Sequence, residues 1–346
     1  MEHNKPTMLS EIGEFGLIDR LTSSHKLRHT SSIKGVGDDA AVIDSGDFCT
    51  LVTTDLLVEG IHFNLIYTPL KHLGYKAVAV NLSDLYAMNA EPRQITVSIA
   101  VSGKFSLEAL EELYSGIYMA CEKFNVDLIG GDTSSSVTGL TISITALGVA
   151  RKDEIVYRSG AKVNDLICVS GDLGAAYMGL QLLEREKELF IKDSTLQPDL
   201  DGNDYIIGRQ LKPEPRADII RILKENGIKP NSMIDISDGL SSEILHICKN
   251  SDKGCRIYQE KIPIDASTAM MAGEFNIEPL ICALHGGEDY ELLFTVPLEA
   301  FEKIKNISEI HIIGKIVDKE DNALMLTAEG NTIQLRAQGW DGLAER

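Results

Sequence analysis

The chain is short of positive charge: 33 lysines and arginines stand against 52 aspartates and glutamates, a net charge of −19. So acidic a surface repels nucleic acid and anionic membrane, and neither is expected as a partner. No apolar run approaches the ~20 residues of a membrane span. The first seven residues are polar and lack the apolar core of a secretion signal. None of the six cysteines forms a C-x-x-C pair, and several sit in apolar runs. They read as reduced core thiols, not as zinc ligands or a disulfide frame, which points to the cytoplasm. There is no G-x-x-x-x-G-K-[ST] phosphate loop, no H-R-D or D-F-G kinase pair and no G-x-S-x-G elbow. Any phosphate handled here is therefore handled mainly by metals and not by a loop lysine. Solenoid repeats and low-complexity tracts are also missing.

What is present suits a globular protein. Of 346 residues, 44% are hydrophobic, enough for real cores, and the length suggests two domains. A charged, turn-rich stretch at 151–164 marks the expected boundary, giving an N-terminal domain 1–152 and a C-terminal domain 153–346. Helical spacing predicts helices at 8–21, 74–89, 107–124 and 172–186. Residues 95–101 and 142–147 alternate apolar with Thr and Ser, as strands with one covered face do.

Aspartates recur at particular places. Residues 49–52 read as a short buried strand ending in Thr53-Thr54-Asp55, with His62 seven residues on. A second strand, 126–129, leads into Gly130-Gly131-Asp132-Thr133, whose glycines allow close backbone approach. A third leads into Asp235-Ile236-Ser237-Asp238-Gly239. Ligands gather beyond the carboxyl ends of strands in open α/β sheets, so each acid is a candidate cation ligand. The alternative for each is a turn cap with no ligand. Gly35-Val36-Gly37-Asp38-Asp39-Ala40 matches G-x-G-x-x-A only superficially. Two carboxylates there would repel a bare pyrophosphate, and a β-like run follows in place of a helix. The Asp-Ile-Ser-Asp-Gly stretch is no EF-hand, because its glycine is misplaced and no closing Glu follows. If Asp38, Asp39, Asp55, Asp84, Asp132, Asp235 and Asp238 converge, their repulsion calls for divalent cations, and Mg2+ favours a few carboxylates plus phosphate oxygens.

Six blocks together resemble the thiamine-monophosphate kinase family, within the superfamily of aminoimidazole ribonucleotide synthetase and selenophosphate synthetase. They are Gly-Val-Gly-Asp-Asp-Ala-Ala, Thr-Thr-Asp-x4-Gly-Ile-His-Phe, Val-Asn-Leu-Ser-Asp-Leu, Gly-Gly-Asp-Thr, Asp-Ile-Ser-Asp-Gly-Leu and Gly-Gly-Glu-Asp-Tyr-Glu-Leu, in that order, and the resemblance spans nearly the whole chain, from about Gly13 to Trp340. The resemblance implies a two-domain α/β fold whose N-terminal domain forms a dimeric sheet layer, with a C-terminal α/β domain beside it. It implies transfer of phosphate from ATP to thiamine monophosphate, assisted by several Mg2+, in a homodimer. By the same resemblance Asp39, Thr53, Thr54, Asp55, Asp84, Asp132, Asp235 and Asp238 would hold Mg2+. Tyr114, Gly131, Asp132, Arg158 and Ser237 would contact ATP, while His62, Glu288 and Trp340 would meet thiamine monophosphate. Within the superfamily, a selenophosphate synthetase is expected to carry a reactive Cys in an N-terminal glycine-rich stretch, and none precedes Cys49. A carbamoyl-dehydrating hydrogenase maturation protein would end in Cys, whereas this chain ends Ala344-Glu345-Arg346.

Overall fold

A computed structural model describes residues 9–337; Trp340 lies outside the described residues. In chain order the first half runs α1 (Leu9–Thr22), β1 (Ser32–Lys34), β2 (Ala41–Asp44), β3 (Cys49–Val58), α2 (Leu70–Ala87), β4 (Glu91–Val101), α3 (Leu107–Phe124), β5 (Asp127–Ser135) and β6 (Leu140–Ala150). Its strands form a six-stranded sheet in the order β1-β2-β3-β6-β4-β5. The period-two pattern holds: Ile95, Val97, Ile99, Ile142, Ile144 and Ala146 all face one buried side. Helices α2 and α3 pack on that side. The other side carries Thr96, Ser98, Ser143 and Thr145, and Leu56 there is 55% exposed.

Two strands differ from the sequence reading. β3 does not stop at Val52 but continues through Thr53, Thr54 and Asp55 to Val58, paired throughout with β6. β5 likewise continues through Gly130-Gly131-Asp132-Thr133. Threonine is β-branched and fits a pleated, half-buried surface, so the hydroxyl pair extends the ladder instead of ending it. Asp55 and Asp132 therefore stand inside strands. The break in α1 is at Gly13, whose φ is 64°.

The second half runs β7 (Leu166–Ser170), α4 (Ala175–Lys192), α5 (Asp204–Leu211), α6 (Ala217–Glu225), β8 (Ser232–Asp235), α7 (Leu240–Ser251), β9 (Gly254–Tyr258), α8 (Ala266–Glu274), α9 (Pro279–His285), β10 (Leu292–Val296), α10 (Phe301–Ile304), β11 (Ile310–Val317), β12 (Ala323–Leu326) and β13 (Thr332–Gln334). These strands build a seven-stranded sheet, β13-β12-β9-β11-β7-β10-β8. Its central strands are buried on both faces, which explains their unbroken apolar runs. Ile167, Val169 and Leu293 point into one core with Ile244 and Ile247 of α7. Leu166, Cys168, Leu292 and Phe294 point into the other with Ile219 and Leu223 of α6.

α2 lies between the two sheets, touching β3 on one side and β8 on the other. It is buried almost all round, including Lys76, Asn81 and Ser83. A helix without a solvent face must satisfy its polar side chains internally. Those side chains are the beginning of the site.

Candidate active site

The carboxylates of Asp39, Asp84 and Asp235 offer oxygens that all lie within 4.8 Å of one another. They come from three distant places: the turn before β2, α2, and the end of β8. Each is held. Ser83 Oγ donates to Asp235 Oδ2 at 2.6 Å, and Thr53 Oγ1 donates to Asp84 Oδ2 at 2.5 Å. Arg158 donates to Asp39 Oδ1 from both Nε (3.1 Å) and Nη2 (2.6 Å). Its backbone N–H donates to Asp38 Oδ1, while Lys34 lies 3.3 Å from Asp38 Oδ2. Asp38 thus anchors the 158 segment, and its neighbour Asp39 enters the cluster. Asp55 flanks the cluster on β3; Asn81 Oδ1 accepts its backbone N–H at 3.0 Å.

Crowded and buried, these acids resist ionisation. Burial pushes Asp39 up to about 7, against the pull of Arg158 and with a further push from Asp235. Burial raises Asp55 to about 6. Asp235 also rises to about 6 by burial, with the Ser83 hydroxyl and Arg158 opposing. Asp84 is pushed well above the carboxylate range by burial, then by Asp55, Asp235 and Asp39. Asp39 Oδ2 is buried with no hydrogen-bond partner. An unsatisfied carboxylate oxygen within an all-oxygen donor set matches the needs of a hard divalent cation. Loss of one donor tests the network. Ser83→Ala is expected to raise the pKa of Asp235 further, moving the acid limb of the kcat/KM pH profile upward by ~1 unit. An unmoved limb would separate Ser83 from the titration of the acid cluster.

A cleft of about 150 Å³ joins the acids to the rest of the site; Asp55, Asp84, Asp235, His62, Ser237 and Glu288 line it. His62 sits in the turn after β3, and its Nδ1 accepts the Val58 N–H at 3.0 Å. Burial lowers its pKa, so the ring favours its neutral form. Glu288 and Tyr290 both have left-handed backbones, φ 57° and 52°, after Gly287 at 71°. Such conformations cost on the order of 1–3 kcal/mol each and persist only when the surroundings enforce them. Here the Glu288 N–H donates to Ser237 O at 2.6 Å and the Tyr290 N–H to Ile236 O at 2.9 Å. Between them, Asp289 accepts from Gly174 N at 2.7 Å, close to the start of α4. The Gly-Gly-Glu-Asp-Tyr-Glu stretch is thus strapped to the Asp-Ile-Ser-Asp loop.

The remaining candidates fall outside this cluster. Thr54 and Asp132 belong to the opposite face of the first sheet. Thr54 Oγ1 donates to Ile144 O and Thr145 to Thr54, while Asp132 pairs in register with Ser98 and is exposed. The reason is alternation: Thr53 and Asp55 face α2, so Thr54 cannot. The side chain of Thr54 therefore does not reach the acids on its own strand's other face. Gly131 is on the edge strand β5, and Tyr114 stands on α3 against Tyr118, ring centroids 6.0 Å apart. Asp238 follows the cluster; its N–H donates to Glu243 Oε1 at 3.1 Å.

The sequence reading missed several site residues. The resemblance places Arg158 among the ATP contacts, but its pairing with Asp39 is not visible in the spacing. Ser83 and Asn81 lie within the Val-Asn-Leu-Ser-Asp-Leu block, which by itself marks no role for them. Lys76, Gln210 and the buried Glu243 fall outside all six blocks. The available signal for Lys76 was a single cation inside the apolar run Tyr75-Lys76-Ala77-Val78-Ala79-Val80.

Residues 37–150 match the family model of AIR synthase related protein, N-terminal domain. The chain is 32% identical to thiamine-monophosphate kinase of Bacillus subtilis (strain 168), over 95% of this chain and 98% of that protein. The enzyme of the same name from Aquifex aeolicus (strain VF5) is 34% identical over 87% of this chain and 92% of its own length. The chain belongs to the thiamine-monophosphate kinase family. Among solved structures, that of AaThiL complexed with AMPPCP and TMP superposes with a TM-score of 0.82 and 31% identity, covering 97% of this chain and 99% of that one. Hydrogenase maturation protein HypE in complex with ATP shares the fold at TM-score 0.67 and 20% identity. The two-domain α/β architecture expected from the resemblance is thus the one found. Among the described residues, no helix of this kinase-family chain is long and apolar enough to cross a membrane.

Proposed function

We propose that this protein transfers the γ-phosphoryl group of ATP to thiamine monophosphate, giving thiamine diphosphate and ADP. The observation that carries the reading is the meeting of Asp39, Asp84 and Asp235 beside a cleft that His62 and Glu288 also line. Kinship with thiamine-monophosphate kinases supplies the reaction, and the geometry supports it.

The attacking group is a phosphate oxygen, largely ionised at neutral pH, so no general base is needed. The obstacle is repulsion between two anions, and catalysis rests on positioning and charge neutralisation. Asp39, Asp84 and Asp235, flanked by Asp55, would hold Mg2+, with Thr53 and Ser83 fixing their carboxylates. When bound, Mg2+ would neutralise phosphate charge. Thr54, Asp132 and Asp238 remain candidates for further ions. Arg158 balances the cluster through Asp39, and a guanidinium suits a phosphate contact as well. Ser237, at the cleft wall, suits a nucleotide contact; Gly131, Asp132 and Tyr114 are proposed as contacts from the first sheet and α3. His62 and Glu288 suit the substrate end, with Trp340 as an aromatic contact for its cationic ring.

The division into 1–152 and 153–346 is proposed with each half built around its own sheet. A homodimer is proposed on the open face of the first sheet, where Thr and Ser alternate and β5 is an almost fully exposed edge. Such an edge pairs readily with another chain. The six cysteines are buried and unpaired, which supports the cytoplasm as its compartment. The test is an assay with ATP, Mg2+ and thiamine monophosphate. One ADP per thiamine diphosphate is the expected outcome; ATP use without that product would contradict the reading.

A further inference from the structure

Behind the cleft, a closed ring of three hydrogen bonds holds one acid. Lys76 Nζ lies 3.0 Å from Glu288 Oε1 and donates to Gln210 O at 3.0 Å. Gln210 Nε2 donates to Glu288 Oε2 at 2.8 Å. The members come from α2, α5 and the left-handed loop, three segments remote in sequence. Lys76 is 3% exposed and Gln210 4%, whereas the side chain of Glu288 keeps 29%. Only the acid reaches solvent and the cleft. Both its oxygens are engaged from behind, and its backbone is locked by the Ser237 carbonyl.

A lysine so buried is an uncommon expense. Held against Glu288, it makes the pair neutral, which weakens the acid as a mere counter-ion. What it adds is direction: a carboxylate clamped at two points presents its remaining lone pairs along fixed lines. We infer that Lys76 and Gln210 are positioning residues that make Glu288 an aimed hydrogen-bond acceptor for a donor-bearing heterocycle of the substrate. The inference rests on the proposed function, in which Glu288 meets thiamine monophosphate.

The two roles of Glu288 give opposite signs. If it acts as a counter-ion, removing Lys76 unmasks its charge and tightens binding of a cationic substrate. If it acts as an aimed acceptor, removing Lys76 lets it swing and weakens binding. Steady-state kinetics of Lys76→Met, Glu288→Gln and the double variant decide between them. The expected result is a KM for thiamine monophosphate raised roughly 10-fold in each single variant, with the KM for ATP within about twofold. The double variant should be no worse than the worse single one, because both remove the same contact. Gln210→Leu, which releases the other oxygen, should repeat the effect more weakly and serves if Lys76→Met does not fold. A lowered or unchanged KM in Lys76→Met and Gln210→Leu, or additive losses in the double variant, would overturn the inference. An unchanged KM in Glu288→Gln would instead overturn the substrate role of Glu288 itself.

Discussion

Asp235→Asn is expected to lower turnover by at least ~10²–10³-fold, the loss typical when preorganised charge stabilisation is removed. The same variant should be more stable than wild type when metal is withheld. Asp235 shares a 4.8 Å space with Asp39 and Asp84, and burial lifts its pKa from 3.8 to about 6. A carboxyl whose folded pKa lies above its unfolded one gives stability that is complete below pH ~4 and lost as pH rises through about 6. Asparagine carries no such loss, and its amide oxygen can still accept from Ser83. In EDTA, the thermal midpoint of the variant should therefore exceed that of wild type by several degrees at pH 8, by roughly half as much at pH 5 and by little at about pH 4. Added Mg2+ should raise wild type more at pH 8 than at pH 5, since binding displaces protons. A variant less stable than wild type at pH 8, or one that retains normal turnover, contradicts the account.

Gly116→Ala is expected to disable the protein by another route. A Cβ at Gly116 would lie 1.8 Å from Lys71 O, and one at Gly74 would lie 2.0 Å from Leu113 O. Helices α2 and α3 therefore touch backbone to backbone, and neither position can yield by moving a flexible side chain. Overpacking of this kind costs ~1–3 kcal/mol, occasionally more, because the helices must separate. Separation would also displace Lys76, Asn81, Ser83 and Asp84, all on α2. Both stability and turnover should fall, with the denaturation midpoint reporting the first and a metal-saturated assay the second. A variant with wild-type midpoint would mean that this contact is looser than the structure shows.

Much of the fold was legible because apolar periodicity survives in both sheets. Ile95-Val97-Ile99 and Ile142-Ile144-Ala146 marked the buried face, and the residues of α3 were read without change. The limits of β3 and β5 were not legible. Hydroxyls, glycines and acids look like a strand's end, and only the neighbouring strand β6 or β4 shows that pairing continues. That error hid a consequence, since alternation sends Thr54 and Asp132 to the face away from Asp55. The individual acids were legible as candidates, yet their convergence was not. Asp39, Asp84 and Asp235 meet only because α2 is wedged between two sheets. The Arg158–Asp39 and Lys76–Glu288 pairs were hidden for the same reason: each spans more than 100 residues.

The account stands on three carboxylates forming one cation site, and Mn2+ titration read by the loss of free-ion electron paramagnetic resonance signal tests this most directly. Nucleotide-free wild type should bind at least one ion per chain, and that ion should vanish in both Asp84→Asn and Asp235→Asn while Glu288→Gln keeps it. Equal binding by wild type and the two aspartate variants would contradict the claim that these acids act together.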